Sequence, residues 1–518
     1  MGNSKVISDN SKGMMQLNNR GKQLKMNTVV GLLSQCVTLI CGFIVPKLIL
    51  NYYGSEINGL VSSITHFLSF ISLAECGMGV VVQSSLYKPL AEHDSNRISQ
   101  VIISAERFFG KIGIVLVGYT AFLLVAYPYL IDTSFDHWYT AALIGAISIS
   151  TFVQYFICMS YRLLLTADQR GYVQLSLNIL TQIVNTILCV VIASCRSSIQ
   201  ILKLCTSGVM LLQPLFLTLY VRKHYSINRK VSVDGEPIKQ KWNGVAQHVA
   251  YVAMENTPTV VLTFCLTMAS VSVYNVYYLV VNGIKGVITS AVSGMQSLLG
   301  NMYAKNEKAA LNQTFSYYEW VMHIVVVILY TCTAILIVPF VKVYTIDIKD
   351  TNYIFPLFGI LISIAQMLFC LRLPYNAMIF VAGHYKETQS SAWIETVINV
   401  VISVALVRSF GLVGVAVGTL VAMIYRTIYL VFYLQKRIMM RPVRLFFKHI
   451  AIDIAVITLS LLATYNIHMK STSYASWILL ALKVAPIVIV ITTLLNIIFY
   501  PDLFKGTILA FRNRNAHN

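Results

Sequence analysis

The chain has 518 residues, of which 57% are hydrophobic and only 11% charged, and its mean hydropathy is +0.70. A soluble protein carries roughly 25% charged residues. Apolar stretches of membrane-spanning length recur along nearly the whole chain, which excludes a sizeable soluble domain and predicts a polytopic membrane protein. The net charge of +19 raises nucleic acid as a partner, but the placement of the cations argues against it.

Hydropathy predicts fourteen spans, at 27–49, 59–85, 112–131, 139–160, 172–194, 198–221, 244–267, 271–300, 319–341, 354–381, 389–407, 412–433, 449–467 and 474–499. Of 39 Lys and Arg, 28 fall in the two tails and the even-numbered loops, five in the odd-numbered loops and six within spans. That asymmetry places both termini in the cytoplasm. The basic charge is a topology signal that also meets anionic headgroups of membrane lipid. The ten cysteines are scattered through apolar segments without metal-ligand spacing and read as small buried hydrophobes.

The polar, basic segment 1–26 has no apolar core, so it reads as a mobile tail and not a signal peptide. The first span carries Pro46 and Lys47 near its outer end; Lys47 either snorkels to the surface or leans into a cavity. The second span is not uniformly apolar. At 100° per residue, Asn58, Ser62, His66, Ser69, Ser72, Cys76, Gly79 and Gln83 fall within an arc of about 140°. Such a stripe faces other helices, where Ser and Gly permit close approach, or a water-filled cavity. Glu75 lies at its margin.

Residues 87–111, with Ile98, Val101, Ile102, Phe108 and Phe109 among Arg97, Glu106, Arg107 and Lys111, read as an amphipathic helix on the inner membrane face. Asp132 and Asp136 mark an outer loop without cations; Arg162, Asp168 and Arg170 mark an inner turn. The basic stretch 222–243 lies midway between residues 27 and 437 and divides two halves of six helices. The division is a tail (1–26), an N-lobe (27–221), a linker (222–243), a C-lobe (244–433), a basic loop with two further spans (434–500) and a tail (501–518).

An offset of 213 sets Gln83–Gln100 against Gln296–Gln313, with Gln83, Ser84, Leu86, Ala91 and Gln100 meeting identical residues. It also carries spans one to three onto seven to nine, as parallel repeats would. Span eight then carries a matching stripe: Asn275, Asn282, Lys285, Thr289, Ser293 and Gln296. Two stripes in matching positions favour a cavity lining. Span seven adds His248, Tyr251, Glu255 and Thr259 on one face, and Pro258 predicts a local break there. Arg372 lies well inside span ten, open to a buried role or to structural pairing. Glu395, Arg426 and Asp453 lie near cytoplasmic ends, where snorkelling or local pairing is expected. Lys483 lies mid-span in helix fourteen. Nothing is arranged for covalent chemistry: there is no phosphate-cradling loop and no metal-binding His cluster, so an enzyme and a cofactor are not expected. The small-residue run Gly411–Gly418 is a helix-packing pattern.

YGSEINGLVSSI (Tyr53–Ile64), LLTADQRGY (Leu164–Tyr172), VYNVYYLVVNGIKGVI (Val273–Ile288), LRLPYNAMIFVAGHYKETQ (Leu371–Gln389) and FGLVGVAVGTLVAMIYRTIYLVFYL (Phe410–Leu434) together resemble bacterial polysaccharide transporters. These are the O-antigen and capsule repeat-unit flippases of the multidrug/oligosaccharidyl-lipid/polysaccharide exporter superfamily. The resemblance spans nearly the whole chain. It implies an all-α fold of two six-helix lobes around a central cavity plus two C-terminal helices, in the bacterial cytoplasmic membrane. The implied substrate is an undecaprenyl-diphosphate-linked oligosaccharide moved from the inner to the outer leaflet, with a polysaccharide polymerase and glycosyltransferases as partners. The stripes would meet the sugars. Lys285, with Lys47 and Arg372, would meet the diphosphate. Glu255 and Glu75 are the candidates for coupling to H+ or Na+. A multidrug–cation antiporter of the superfamily and a lipid-linked peptidoglycan precursor flippase are the rival readings; the former usually has twelve spans and favours acidic cavity residues over a central Lys.

Overall fold

The computed structural model describes residues 2–75, 78–131, 134–154, 159–229, 231 and 245–504. Cys76, Asp132, most of the basic linker and the C-terminal tail lie outside them. The described residues form helices and no strand: α1 (Gly2–Ser69), α2 (Ser72–Glu75), α3 (Met78–Glu92), α4 (Ser95–Leu130), α5 (His137–Val153), α6 (Met159–Ala167), α7 (Gly171–Ser194), α8 (Ile199–Met210), α9 (Leu212–His224), α10 (Val245–Cys265), α11 (Met268–Ala304), α12 (Lys308–Tyr344), α13 (Pro356–Leu371), α14 (Leu373–Val381), α15 (Tyr385–Phe410), α16 (Leu412–Arg437), α17 (Arg444–Thr464) and α18 (Tyr474–Phe499). Eleven helices among the described residues are long and apolar enough to cross a membrane. One of these, Met26–Glu75, holds the first predicted span and most of the second, which continues into α3; the fourth and seventh predicted spans fall on α5 and α10. This is an all-α polytopic membrane fold.

The chain divides into two compact units, Met1–Val252 and Ala253–Asn518. Their element boundaries repeat at the offset read from the sequence. α4 and α12 start 213 residues apart, at Ser95 and Lys308, each after an acidic N-cap residue, Asp94 or Glu307. Each cap follows a residue of positive φ: His93 at 54° and Asn306 at 60°. The offset then grows to 214. α6 and α14 match at both ends, and Gln169 (φ 59°) pairs with Gly383 (φ 75°). Arg196 (φ 52°) and Gly411 (φ 56°) follow at 215.

The first unit departs from the sequence reading in three places. The segment before Met26 is helical and continuous with the first span in α1. The first two spans are separated at Gly54, whose φ of 84° and ψ of 176° suit glycine. Residues 95–111 are not a separate surface helix but the start of α4. Ile98, Val101, Ile102 and Phe109 are buried there in a core with Met78, Val82, Leu86 and Leu164. The apolar face that looked membrane-facing is covered by α3 and α6. Third, the second span is discontinuous. Its helix ends at Ser69, and Phe70 and Ile71 turn with bonds to carbonyls three residues back, at 3.1 and 3.2 Å. Tyr119 of α4 donates to the Phe67 carbonyl at 2.9 Å beside this turn.

In the second unit α15 and α16 form a close hairpin around Gly411. A Cβ on Gly414 would lie 2.5 Å from the Leu406 carbonyl oxygen, and one on Gly418 would lie 2.8 Å from the Ser403 backbone nitrogen. Backbone atoms there cannot retreat cheaply, so the small residues set the interhelix distance. α18 lies along α12, with Leu336, Leu480, Val484 and Val488 buried together. Trp320 Nε1 donates to Asn496 at 2.8 Å, and Trp477 Nε1 to the Leu336 carbonyl at 3.2 Å. Gly418→Val should destabilise the protein by about 1–3 kcal/mol through overpacking. Gly208→Val, where a Cβ meets nothing within 4 Å, should leave the melting temperature of the purified protein near wild type.

Candidate functional site

Five ionisable side chains from four helices and one helix junction converge in the second unit. Lys285 of α11 donates to Glu255 Oε1 of α10 at 2.5 Å, and Tyr278 donates to the other carboxylate oxygen at 2.5 Å. Lys285 also lies 4.2 Å from the Phe369 ring centre, and Arg372 lies 4.7 Å from it. Arg372 occupies the junction of α13 and α14, two residues before Pro374. Proline has no N–H to continue the ladder, so the helix breaks there and the guanidinium sits at the break. Arg372 donates to Glu395 of α15. Arg426 of α16 lies 3.8 Å from the same carboxylate and donates to Ser391 and to the Thr388 carbonyl at 2.9 Å.

Lys285, Arg372, Glu395 and Arg426 are each 5% exposed. An ion buried this deeply costs several kcal/mol unless it is matched, so the row holds its helices in register. Three cations against two carboxylates leave a formal surplus of one positive charge. Arg372 Nε is buried with no hydrogen-bond partner. Gly42, Ser72, Thr181 and Leu211 stand at the repeat positions of Glu255, Lys285, Glu395 and Arg426. The charged row therefore has no counterpart in the first unit.

Several sequence expectations change. Lys285 is not an open cation: it is closed onto Glu255, which is in turn not a free acid. Of the two outcomes expected for Glu395 and Arg426, snorkelling and local pairing, the structure has pairing, and each is buried. Pro258 does not interrupt α10; Thr257 donates to the Ala253 carbonyl at 2.7 Å beside it. The stripe on α11 is uneven. Asn282 and Gln296 are exposed, whereas Asn275 donates to its own Val271 carbonyl at 2.9 Å and Thr289 to Gly286 at 3.0 Å. Lys483 is exposed on α18.

In the first unit, the turn after Ser69 breaks the single phase assumed for the stripe. Asn58 is buried; Ser62, His66 and Lys47 are half-buried. Ser69 and Ser72 donate to carbonyls three residues back, at 2.7 and 2.8 Å. The Ser72 carbonyl accepts from His248 Nε2 at 3.0 Å. Glu75 interacts with His248 and Arg162. Gln83 donates to Tyr87 at 2.9 Å. The inner turn is tied by Arg170 to Asp168 at 3.0 Å and by the Tyr225 hydroxyl to Asp168 at 2.5 Å. Burial and the Asp168 carboxylate push the Tyr225 hydroxyl well above its ordinary range.

No family model and no curated protein matches the sequence. Solved structures do match. The lipid II flippase MurJ, in an inward closed conformation, superposes with a TM-score of 0.65 at 14% identity, over 92% of this chain and 99% of that one. A multidrug resistance MATE family transporter in its inward-facing conformation matches with a TM-score of 0.55 at 14% identity, over 78% of this chain and 97% of that one. A MOP superfamily transporter from Pyrococcus furiosus matches with a TM-score of 0.56 at 14% identity, over 79% and 95%. The chain shares their fold.

Removing one member of the Glu255–Lys285 pair should strand the other. Lys285→Met is expected to cost about 3–5 kcal/mol. The double variant Glu255→Gln, Lys285→Met should recover most of that loss, measured by thermal unfolding of the purified proteins.

Proposed function

We propose that this chain is a flippase for a polyprenyl-diphosphate-linked oligosaccharide. It carries the repeat unit of a surface polysaccharide from the inner to the outer leaflet of the bacterial cytoplasmic membrane, by alternating access between its two units. The reading rests on the cation-rich row of the second unit, set in a fold shared with a lipid II flippase over 92% of the chain. The family resemblance in the sequence supports the polysaccharide repeat unit as cargo. It also supports a polymerase and glycosyltransferases as partners, and cytoplasmic termini.

A diphosphate inside a membrane protein needs cations and N–H donors. Lys285 and the Arg372 Nε–H supply them. When the diphosphate arrives, Lys285 exchanges Glu255 for a phosphate oxygen, and Glu255 retains the Tyr278 hydroxyl. That exchange loosens α10 from α11, and it links headgroup binding to helix movement. The exposed amides Asn282 and Gln296 lie on the same helix for sugar hydroxyls. The polyprenyl chain stays in lipid.

A peptidoglycan precursor carries the same polyprenyl diphosphate, and the match to the lipid II flippase supports it as a second cargo. An antiporter of cationic drugs would favour an acidic surplus; the row here has a basic one.

Proteoliposomes loaded with an undecaprenyl-diphosphate oligosaccharide test the proposal, with flipped headgroup scored by an externally added glycosidase. Lys285→Glu should lower the rate at least about tenfold, a loss of about 1.4 kcal/mol in barrier terms. A wild-type rate from Lys285→Glu would overturn the site. Faster flipping of lipid II than of the oligosaccharide would move the cargo to the second reading.

A further inference from the structure

We infer that His323 and Asp453 form a proton-binding site that locks α17 and α18 onto α12, separate from the Lys285 row. His323 on α12 donates through Nδ1 to Asp453 Oδ2 on α17 at 2.6 Å. Its other ring nitrogen, Nε2, is buried with no hydrogen-bond partner. The pair lines a cavity of about 10 Å³, the size of one water molecule, shared with His449, Thr492, Asn496 and Tyr500. The His449 ring stacks on His323 with centroids 4.7 Å apart, and its Nδ1 pairs with the Tyr500 hydroxyl at 2.8 Å. His449 and half-buried Tyr500 thus line the same cavity as the pair.

The charge count says what this nitrogen takes. On α12, one turn from His323, Glu319 is fully buried. It accepts from Tyr375 of α14 and from Arg441 Nη2 at 3.0 Å. Asp453 is the second carboxylate of the cluster. Arg441, from the segment between α16 and α17, is its one permanent buried cation. Lys448 of α17 is exposed and donates to the Phe499 carbonyl at 2.9 Å. With both imidazoles neutral the buried cluster carries a formal charge of −1. One proton on His323 Nε2 brings it to zero. A second proton, on His449, would place two stacked imidazolium rings in contact. The cluster therefore binds a single proton. The proton-bound form is the electroneutral one, which low-dielectric surroundings favour. Loss of the proton leaves Asp453 uncompensated at the seam where α17 and α18 meet α12, so the site reports pH as the strength of that seam.

The inference does not depend on the cargo. Thermal unfolding of the purified full-length protein, followed by tryptophan fluorescence from pH 5.5 to 8.5, tests it. Wild type should melt about 3 °C or more lower at the alkaline end, through a single-proton transition. His323→Gln keeps a donor for Asp453 but cannot be protonated, so the transition should vanish. Asp453→Asn removes the need for the proton; its melting temperature should be flat and, at pH 8.5, no lower than wild type. Absence of the transition in wild type, or its persistence in either variant, would overturn the proposal. Should His323→Gln fail to fold, Asp453→Asn decides alone. In proteoliposomes carrying the undecaprenyl-diphosphate oligosaccharide, the wild-type rate should change across the same pH interval and that of Asp453→Asn should not. A melting transition with no transport at any pH would support the proton site and count against the flippase reading.

Discussion

Charge inside membrane-spanning helices must be matched, and the second unit is organised around that constraint. Glu255, Lys285, Arg372, Glu395 and Arg426 come from four helices and one helix junction, and each meets an opposite charge only when those elements adopt one arrangement. The contact energy of such a row is modest once desolvation is counted. The penalty for separating its members is not. The row therefore specifies which helices are neighbours more than it stabilises the fold. The same logic recurs around Glu319, where Arg441 and Tyr375 close on one carboxylate and hold the segment leading into α17 against α12.

The two units share a scaffold and differ in what they put on it. Their helix starts, acidic caps and positive-φ residues recur at offsets of 213 to 215 residues, so the repeat is real at the level of backbone. At the positions matching Glu255, Lys285, Glu395 and Arg426 the first unit has the uncharged residues Gly42, Ser72, Thr181 and Leu211. Its polar features gather at a helix interruption, where carbonyls at Phe67 and Ser72 accept from Tyr119 and His248.

Much of the fold was legible in the chain because the signals are local. Span positions follow from runs of apolar residues, and every predicted span falls on one helix or on a pair or series of consecutive helices. The repeat offset could be read from a weak match around Gln83 and Gln296 because the same turn, with a positive-φ residue followed by an acidic residue, precedes α4 and α12. Phase was less legible. The stripe on the second span assumed an uninterrupted helix, and the turn at Phe70 and Ile71 breaks it without a proline or a well-placed glycine to announce it. Pro258 misled in the other direction, since α10 continues through it. The amphipathic start of α4 looked like a surface helix because a covered apolar face and a lipid-facing one have the same composition.

The sequence by itself determined that this is a polytopic all-α membrane protein, where its apolar segments lie, and which ionisable residues lie inside them. Hydropathy and capping act over a few residues, so one dimension suffices for those. Only the tertiary structure decided what each buried charge meets. Lys285 finds Glu255 thirty residues away, Arg372 finds Glu395, and His323 finds Asp453 130 residues on. An isolated charge near a helix end reads equally well as snorkelling or paired, because the two differ only in the neighbouring helix. That neighbour is set by packing between segments distant in the chain.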